Sequence, residues 1–188
     1  MRLLIKLYID NINFYDLEQI IGALNNSITE EDTRIIIMTN DKKIKFDSHT
    51  VYYQNEYSVP IMINYKLSQL GWDIVLPITK SIIITKGFDT IIKEKYKEKF
   101  PQLNGVLIID NNNGDKLPVV GKEYYNEFGY VFNPIYKQLN YENEFYDIAN
   151  LTKRIYSTSL KFKFLEMKTD DEHIYEHRKN FNFSLLKK

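Results

Sequence analysis

The chain has no cysteine among its 188 residues, which excludes a disulfide framework and any thiolate metal site. Histidine is nearly as scarce, with His49, His173 and His177 the only three. His173 and His177 fall in HIYEH, but no glutamate follows the first histidine and no third ligand is evident, so the pair reads as an exposed helix face rather than a zinc site. The seven glycines are scattered; they form neither common Gly-rich phosphate loop nor a Gly-x-Ser-x-Gly elbow. Net charge is also absent. The 25 basic residues balance 25 acidic ones, without the basic excess of a nucleic-acid-binding protein. No apolar run approaches the about eighteen residues of a membrane span. The opening MRLLIKLYID is broken by Lys6 and closed by Asp10, and lacks the apolar length and cleavage site of a signal peptide.

These absences leave a cytoplasmic, soluble globular protein as the expectation. At this length a single α/β domain over 1–188 is expected, with the polar stretch 170–188 as a terminal helix and loose tail. Heavy use of Ile, Lys, Asn and Tyr points to an AT-rich genome, of a low-GC bacterium or a virus.

Strand and helix signals alternate over the first 110 residues. Arg2 to Ile9 is short and apolar and ends at Asp10-Asn11, the pattern of a buried strand. Phe14, Leu17, Ile20, Ile21 and Leu24 recur at helical spacing. Thr33 to Met38 predicts a second strand and Val51 to Gln54 a short one. Pro60 suits the first turn of a helix running to Leu70, ended by Gly71. Trp72 to Leu76 predicts a strand stopped by Pro77. Phe88 to Phe100 predicts a helix, begun or capped by Asp89, and Gly105 to Ile109 a further strand. The alternation favours parallel strands with crossover helices. Ligands of such sheets bind beyond the C-terminal strand ends, here Asp10-Asn11, Thr39-Asn40-Asp41, Thr79-Lys80 and Asp110 to Asp115.

The densest segment is Leu117 to Ala149, LPVVGKEYYNEFGYVFNPIYKQLNYENEFYDIA. It orders a Gly-bounded aromatic helix, a Gly-Tyr turn, an Asn-Pro turn and an acidic Glu-Asn-Glu cluster. Its plainest reading is core aromatics followed by an acidic helix start, Glu142, Glu144 and Asp147, favoured by the helix dipole.

The series Trp72-Asp73-Ile74, Gly87-Phe88-Asp89, Gly129-Tyr130, Asn133-Pro134-Ile135-Tyr136 and Glu142-Asn143-Glu144-Phe145 resembles the GT-A-fold, family-2-like glycosyltransferases of bacteria and phages over roughly 64–149. The resemblance implies a GT-A-like (Rossmann-like) mixed, mostly parallel sheet flanked by helices. It also implies a nucleotide-diphosphate-sugar donor and a carbohydrate or glycan acceptor. By motif position Glu142 falls on the general base that takes the acceptor's proton, although relatives usually carry Asp there. Glu144 keeps the family residue, as a group orienting the base or binding an acceptor hydroxyl. Asp41 falls where the nucleotide base or ribose binds, Asp110 joins the donor side, and Tyr130 and Tyr136 are candidates for stacking on the acceptor. Of the other aromatics, Tyr124, Tyr125 and Phe128, most are expected to be core.

The resemblance breaks on the donor side. These enzymes usually follow the Trp-Asp-Ile strand with an acidic pair that holds Mg²⁺ or Mn²⁺. Here Ile78, Thr79 and Lys80 stand in its place, and no acidic residue occurs between Asp73 and Asp89. Three readings stay open: Lys80 binds the diphosphate directly as a point charge, without metal; Asp110 or Asp115 supplies a metal ligand from the neighbouring strand end; or the domain is a non-catalytic binding or structural module. An unrelated α/β nucleotide-binding protein is a weaker alternative.

Overall fold

A computed structural model of the chain describes residues 1–9, 14–55, 58–79, 81–111, 113–136 and 141–164. The segment 170–188 expected as a helix and tail lies outside the described residues, as do Lys80, Asp10 and Asn11.

The sheet is built around β1 (Leu3–Ile9), all seven of whose residues are buried. Side chains alternate across a strand, so β1 supplies two cores at once. Leu3, Ile5, Leu7 and Ile9 face α1 (Phe14–Ser27) and α3 (Phe88–Lys99), meeting Leu17, Ile20, Leu24, Phe88 and Ile92. Leu4 and Tyr8 face the opposite layer, formed by α2 (Val59–Asn64), α4 (Lys122–Phe128) and α5 (Tyr141–Leu151). The result is a helix–sheet–helix sandwich.

Seven more strands complete the sheet: β2 (Thr33–Thr39), β3 (Thr50–Tyr53), β4 (Ile74–Ile78), β5 (Ile82–Ile84), β6 (Val106–Asp110), β7 (Lys116–Gly121) and β8 (Ile155–Phe164). Their order is β3-β2-β1-β4-β7-β6-β8-β5. Neighbours are parallel from β3 to β4 and between β6 and β8. β7 is antiparallel to both β4 and β6, and β5 is antiparallel to β8. The sheet is therefore mixed and mostly parallel, as expected.

Two expectations about element ends are corrected. The helix from Pro60 does not reach Leu70. It ends at Asn64, Lys66 takes a left-handed backbone, and a single 3₁₀ turn follows over Leu67–Gln69. Nor does Pro77 stop β4, which runs through it to Ile78. The Ile74 N–H donates toward β1, to Arg2 O at 3.2 Å, so Val75 and Pro77 turn their nitrogens the other way, toward β7. Pairing with β7 reaches only Val75, so the N–H that Pro77 lacks has no ladder partner to lose.

Three polar residues singled out in the sequence are structural. Trp72 is buried and donates from Nε1 to Leu67 O at 2.8 Å. Asp73 accepts from the Arg2 N–H at 2.8 Å and from its guanidinium at 3.0 Å. Asp89 is fully buried and does more than begin α3: its carboxylate accepts from the N–H groups of Thr29 and Glu30 and the hydroxyls of Thr29 and Thr33. Burial alone would raise its pKa, but these donors hold it below the ordinary carboxylate value.

Lys6 is the least expected core residue. It is fully buried in β1, and its ammonium donates to Ile63 O at 2.5 Å, Tyr65 O at 2.7 Å and Met62 O at 3.4 Å. It thereby caps the C-terminal end of α2, where helix carbonyls lack partners. Burial pulls the Lys6 pKa down to about 7, below the roughly 10.4 of a lysine in an unfolded chain. Between those values the unfolded chain binds more protons, so this group makes stability rise with pH. Urea denaturation between pH 7 and 10 is expected to show that rise. Lys6→Met should flatten it and lower stability by about 1–3 kcal/mol, since the carbonyls lose their donor. Equal slopes in the two proteins would remove Lys6 as the cause.

Candidate functional site

β1, β2, β4 and β6 run in one direction, so Thr39, Ile78 and Asp110 share one edge of the sheet. β4 and β7 pair only at Ile74↔Gly121 and Val75↔Val120, then part toward that edge. The topological switch point, where the order β3-β2-β1 turns back to β4, lies one strand away, and open α/β sheets bind ligands at such points. The start of α5 spans the opening. Tyr141 neighbours Thr79, just past β4, and Glu142.

On the β7 side, Gly114, Asp115 and Lys116 face Glu142, Asn143 and Tyr146 across a polar cleft of about 240 Å³. The turn that presents Asp115 is built by Asn111, which is buried. Its amide oxygen accepts from the N–H groups of Asn113 (2.9 Å) and Asp115 (3.0 Å), and its amide nitrogen donates to the Asp115 carboxylate at 2.9 Å. Gly114 has a φ of 90°, a backbone that glycine adopts without strain. Glu142 and Tyr146 are four residues apart and so share one face of α5. The Lys116 ammonium rests over the Tyr146 ring, 5.3 Å from its centroid. Burial first, then the Glu142 charge, raises the pKa values of Tyr141 and Tyr146, so both phenols stay protonated.

The expected site residues fall into separate groups. Glu142 is half-buried and lines the cleft. Glu144 instead holds the Asn-Pro turn: its carboxylate accepts from Asn133 Nδ2 at 3.0 Å, while Asn133 Oδ1 accepts from the Ile135 N–H at 3.1 Å. Tyr130 lies close to this pair, its pKa raised by burial and then by the charges of Glu144 and Tyr136. Tyr136 packs its ring against the second core and donates its N–H to Asn133 O at 3.2 Å. Tyr124 and Tyr125 are buried, and Phe128 is packed against the same core. Asp41 is exposed beyond β2 and accepts from the Lys43 N–H at 2.8 Å, an Asx turn. Three strand spacings separate β2 from β7, on the order of 14 Å, so Asp41 lies away from the cleft that Glu142 lines. Asp110 is ion-paired with Lys161. Lys80 lies outside the described residues.

The donor set does not fit a divalent-cation site at the end of β4. Ile78 is buried there and Thr79 meets Tyr141. Among the described residues, no group of three or more His, Cys, Asp or Glu side chains is placed to hold a metal ion. Asp115 does reach the cleft, as one of two carboxylates beside an ammonium.

Lys116 and Tyr146 were not identified from the sequence; Asn111 lay within the Asp110 to Asp115 strand end, but its part in building the turn was not read. Tyr146 had a signal, its four-residue spacing from Glu142. Lys116 had none, because its role depends on β7 being antiparallel. No helix among the described residues is long and apolar enough to cross a membrane.

A mixed sheet in this order, flanked by helices on both faces, is the GT-A fold of glycosyltransferases. Among solved structures that share it is S. aureus TarS, a GT-A-type glycosyltransferase, at 13% identity and a TM-score of 0.67, over 94% of this chain and 38% of that one. TarS 1-349 matches at 12% identity and TM-score 0.66, over 86% of this chain and 60% of that one. TarS 1-349 in complex with UDP-GlcNAc matches at 13% identity and TM-score 0.64, over 92% and 61%. At such identity the likeness establishes the fold, and the chain spans 38% to 61% of the length of these neighbours. No family model matches the chain, and no curated protein matches it.

The Asn133–Glu144 contact is testable by a double-mutant cycle. Asn133→Ala and Glu144→Ala are expected to couple by about 1–2 kcal/mol in chemical denaturation, while Asn133→Ala and Glu142→Ala add independently. Additivity in the first pair would show that Glu144 does not hold the turn.

Proposed function

We propose that this chain is a glycosyltransferase-type domain that transfers a sugar from a nucleotide-diphosphate donor to a carbohydrate or glycan acceptor, without a metal ion held by the usual acidic pair. The observation that carries this reading is the place of Glu142. The residue that motif position marks as the base lines a polar cleft at the C-terminal strand edge of a GT-A-like sheet, next to Tyr141, which neighbours the end of β4. UDP-GlcNAc in the TarS 1-349 complex supports a nucleotide sugar as the donor class.

The chemistry assigned to the residues is simple. The Glu142 carboxylate takes the proton of an acceptor hydroxyl as its oxygen bonds to the anomeric carbon. The bond from that carbon to the diphosphate breaks, and the nucleoside diphosphate leaves with the electron pair. A cation is needed to stabilise that leaving charge; Lys80 and Lys116 are assigned to it. Asp41 is assigned to the nucleoside, away from the cleft. Glu144, with Tyr130 and Tyr136, shapes the acceptor-side turn. Composition supports a setting in the cytoplasm of a low-GC bacterium or of the host of a phage.

A second reading, a non-catalytic GT-A-like module, is favoured by Ile78 and Thr79 standing where the acidic pair belongs. Thermal shift with UDP-, GDP-, CMP- and dTDP-sugars, with and without Mn²⁺, bears on both. A true donor at a hundred times its Kd should stabilise the fold by about 2.7 kcal/mol, with or without Mn²⁺. No shift with any donor would reject the donor site; stabilisation only with Mn²⁺ would reject metal independence. Glu142→Gln should keep donor binding and slow transfer by about 10²–10⁴-fold. Donor binding with no transfer by the wild type to any glycan acceptor tried would favour the second reading.

A further inference from the structure

Between α4 and α5 the chain from Val131 to Tyr136 is irregular, so its place is set by side chains rather than by a helix or a ladder. Asn64, half-buried at the end of α2, holds the start of it. Its amide nitrogen donates to Phe132 O at 2.6 Å and to Pro60 O at 2.7 Å, and its amide oxygen accepts from the Val131 N–H at 2.7 Å. Both N–H groups of the amide are therefore used, and the bond to Pro60 fixes its orientation on its own helix. Val131 and Phe132 are buried, so without Asn64 their backbone groups would lack these partners. The other bond from α2 to this segment, from Ser58 Oγ to Tyr136 O, is long at 3.5 Å.

Two routes lead from the segment to α5. The Phe132 ring meets those of Tyr141, beside Glu142, and of Phe145. Asn133, the next residue, donates from its amide to Glu144. We infer that Asn64 is a positioning residue for Glu142: it sets where α5 begins, and so where the carboxylate stands, without lining the cleft itself. The inference rests on the role given to Glu142 above and adds a residue in another helix that controls it. Asn64 can serve as an anchor because the carbonyls on either side of it, Ile63 O and Tyr65 O, accept from Lys6 in β1. A catalytic group misplaced by about 1 Å loses about a hundredfold in rate.

Asn64→Asp tests this. It keeps the size of the side chain and the acceptor for Val131, but sets an oxygen against Phe132 O in place of a donor. With a UDP-sugar donor, kcat should fall by about 10²-fold while the donor KM stays within about twofold. In a Glu142→Gln background the same substitution should change kcat by less than about threefold, because a residue acting through the base has little left to lose. Hydrogen exchange of the α5 amides from Phe145 to Ala149 should quicken by about tenfold, with those of α1 and β1 unchanged. An unchanged kcat, a full further loss in the Glu142→Gln background, or unchanged exchange in α5 would each overturn the proposal, as would faster exchange throughout the chain. If the wild type transfers no sugar, the glycosyltransferase reading falls, and the exchange data alone decide whether Asn64 places α5. Should Asn64→Asp not fold, Asn64→Gln, which keeps the amide and moves it by one methylene, is judged by the same measurements.

Discussion

The ammonium of Lys6 ties the central strand to the layer that carries the site. A lysine in an interior strand of a buried sheet is tolerated only where its amine is hydrogen-bonded, and here the carbonyls ending α2 accept from it. Asn64, the last residue of α2, passes the constraint on. Its amide oxygen accepts from the Val131 N–H at 2.7 Å, and its amide nitrogen donates to Phe132 O at 2.6 Å. The next residue is Asn133, bonded to Glu144 on α5. A chain of polar contacts therefore runs from the sheet centre to the helix that bears Glu142. Each link ends on a backbone group or on a side chain with a second bond, which gives the path a defined geometry.

β7 does a comparable job from the other side. Its reversed direction brings the turn at Asn111–Asp115 to the same edge as the ends of β1, β2 and β4. A wholly parallel sheet would have sent a crossover helix there and left no hairpin to face α5. The early end of β4–β7 pairing creates the opening, and Pro77 is compatible with it because no ladder bond is required at that point. Packing beneath is aromatic: Phe132 meets Tyr141 with ring centroids 4.8 Å apart, and Phe145 at 5.4 Å. α5 is thus seated by its apolar face while its polar face stays with the cleft.

Much of this was legible in the sequence. Periodicity identified β1, α1, β2 and α3, because their apolar residues face one core or fill a strand. β5, β7 and β8 were not identified. Ile82–Ile84 is too short to show a period, and Pro118 interrupts the pattern of β7, but β8 carries a readable period-two signal, with Thr158, Leu160 and Phe162 buried between exposed Ser159, Lys161 and Lys163. The α2 break at Lys66 gives no compositional sign, since lysine seldom takes a left-handed backbone. For the site, motif order led to Glu142, and the structure sets it in a cleft. The same order grouped Glu144 with it, but residues two apart on a helix point in different directions, and Glu144 serves the Asn-Pro turn. Asp110 reads as a ligand on a strand end; its pairing with Lys161 depends on β8 lying beside β6, which local sequence does not reveal.

The junction between β7 and α4 carries a further implication. α4 has no side-chain cap; the Lys122 N–H donates to Asp73 O at 2.9 Å, and the next two, from Glu123 and Tyr124, donate to Leu103 O at 3.0 and 3.1 Å. Leu103 turns that carbonyl into place with a φ of 56°. A Cβ on Gly121 would stand 2.1 Å from the same oxygen and 2.2 Å from the Tyr96 hydroxyl. Neither neighbour yields readily, one being backbone and the other a buried phenol bonded to Gly105 O. Position 121 is therefore closed to every residue with a side chain, whatever the protein binds. Evolutionary drift and laboratory redesign alike have the cleft to vary, but they must leave this hinge of the scaffold untouched.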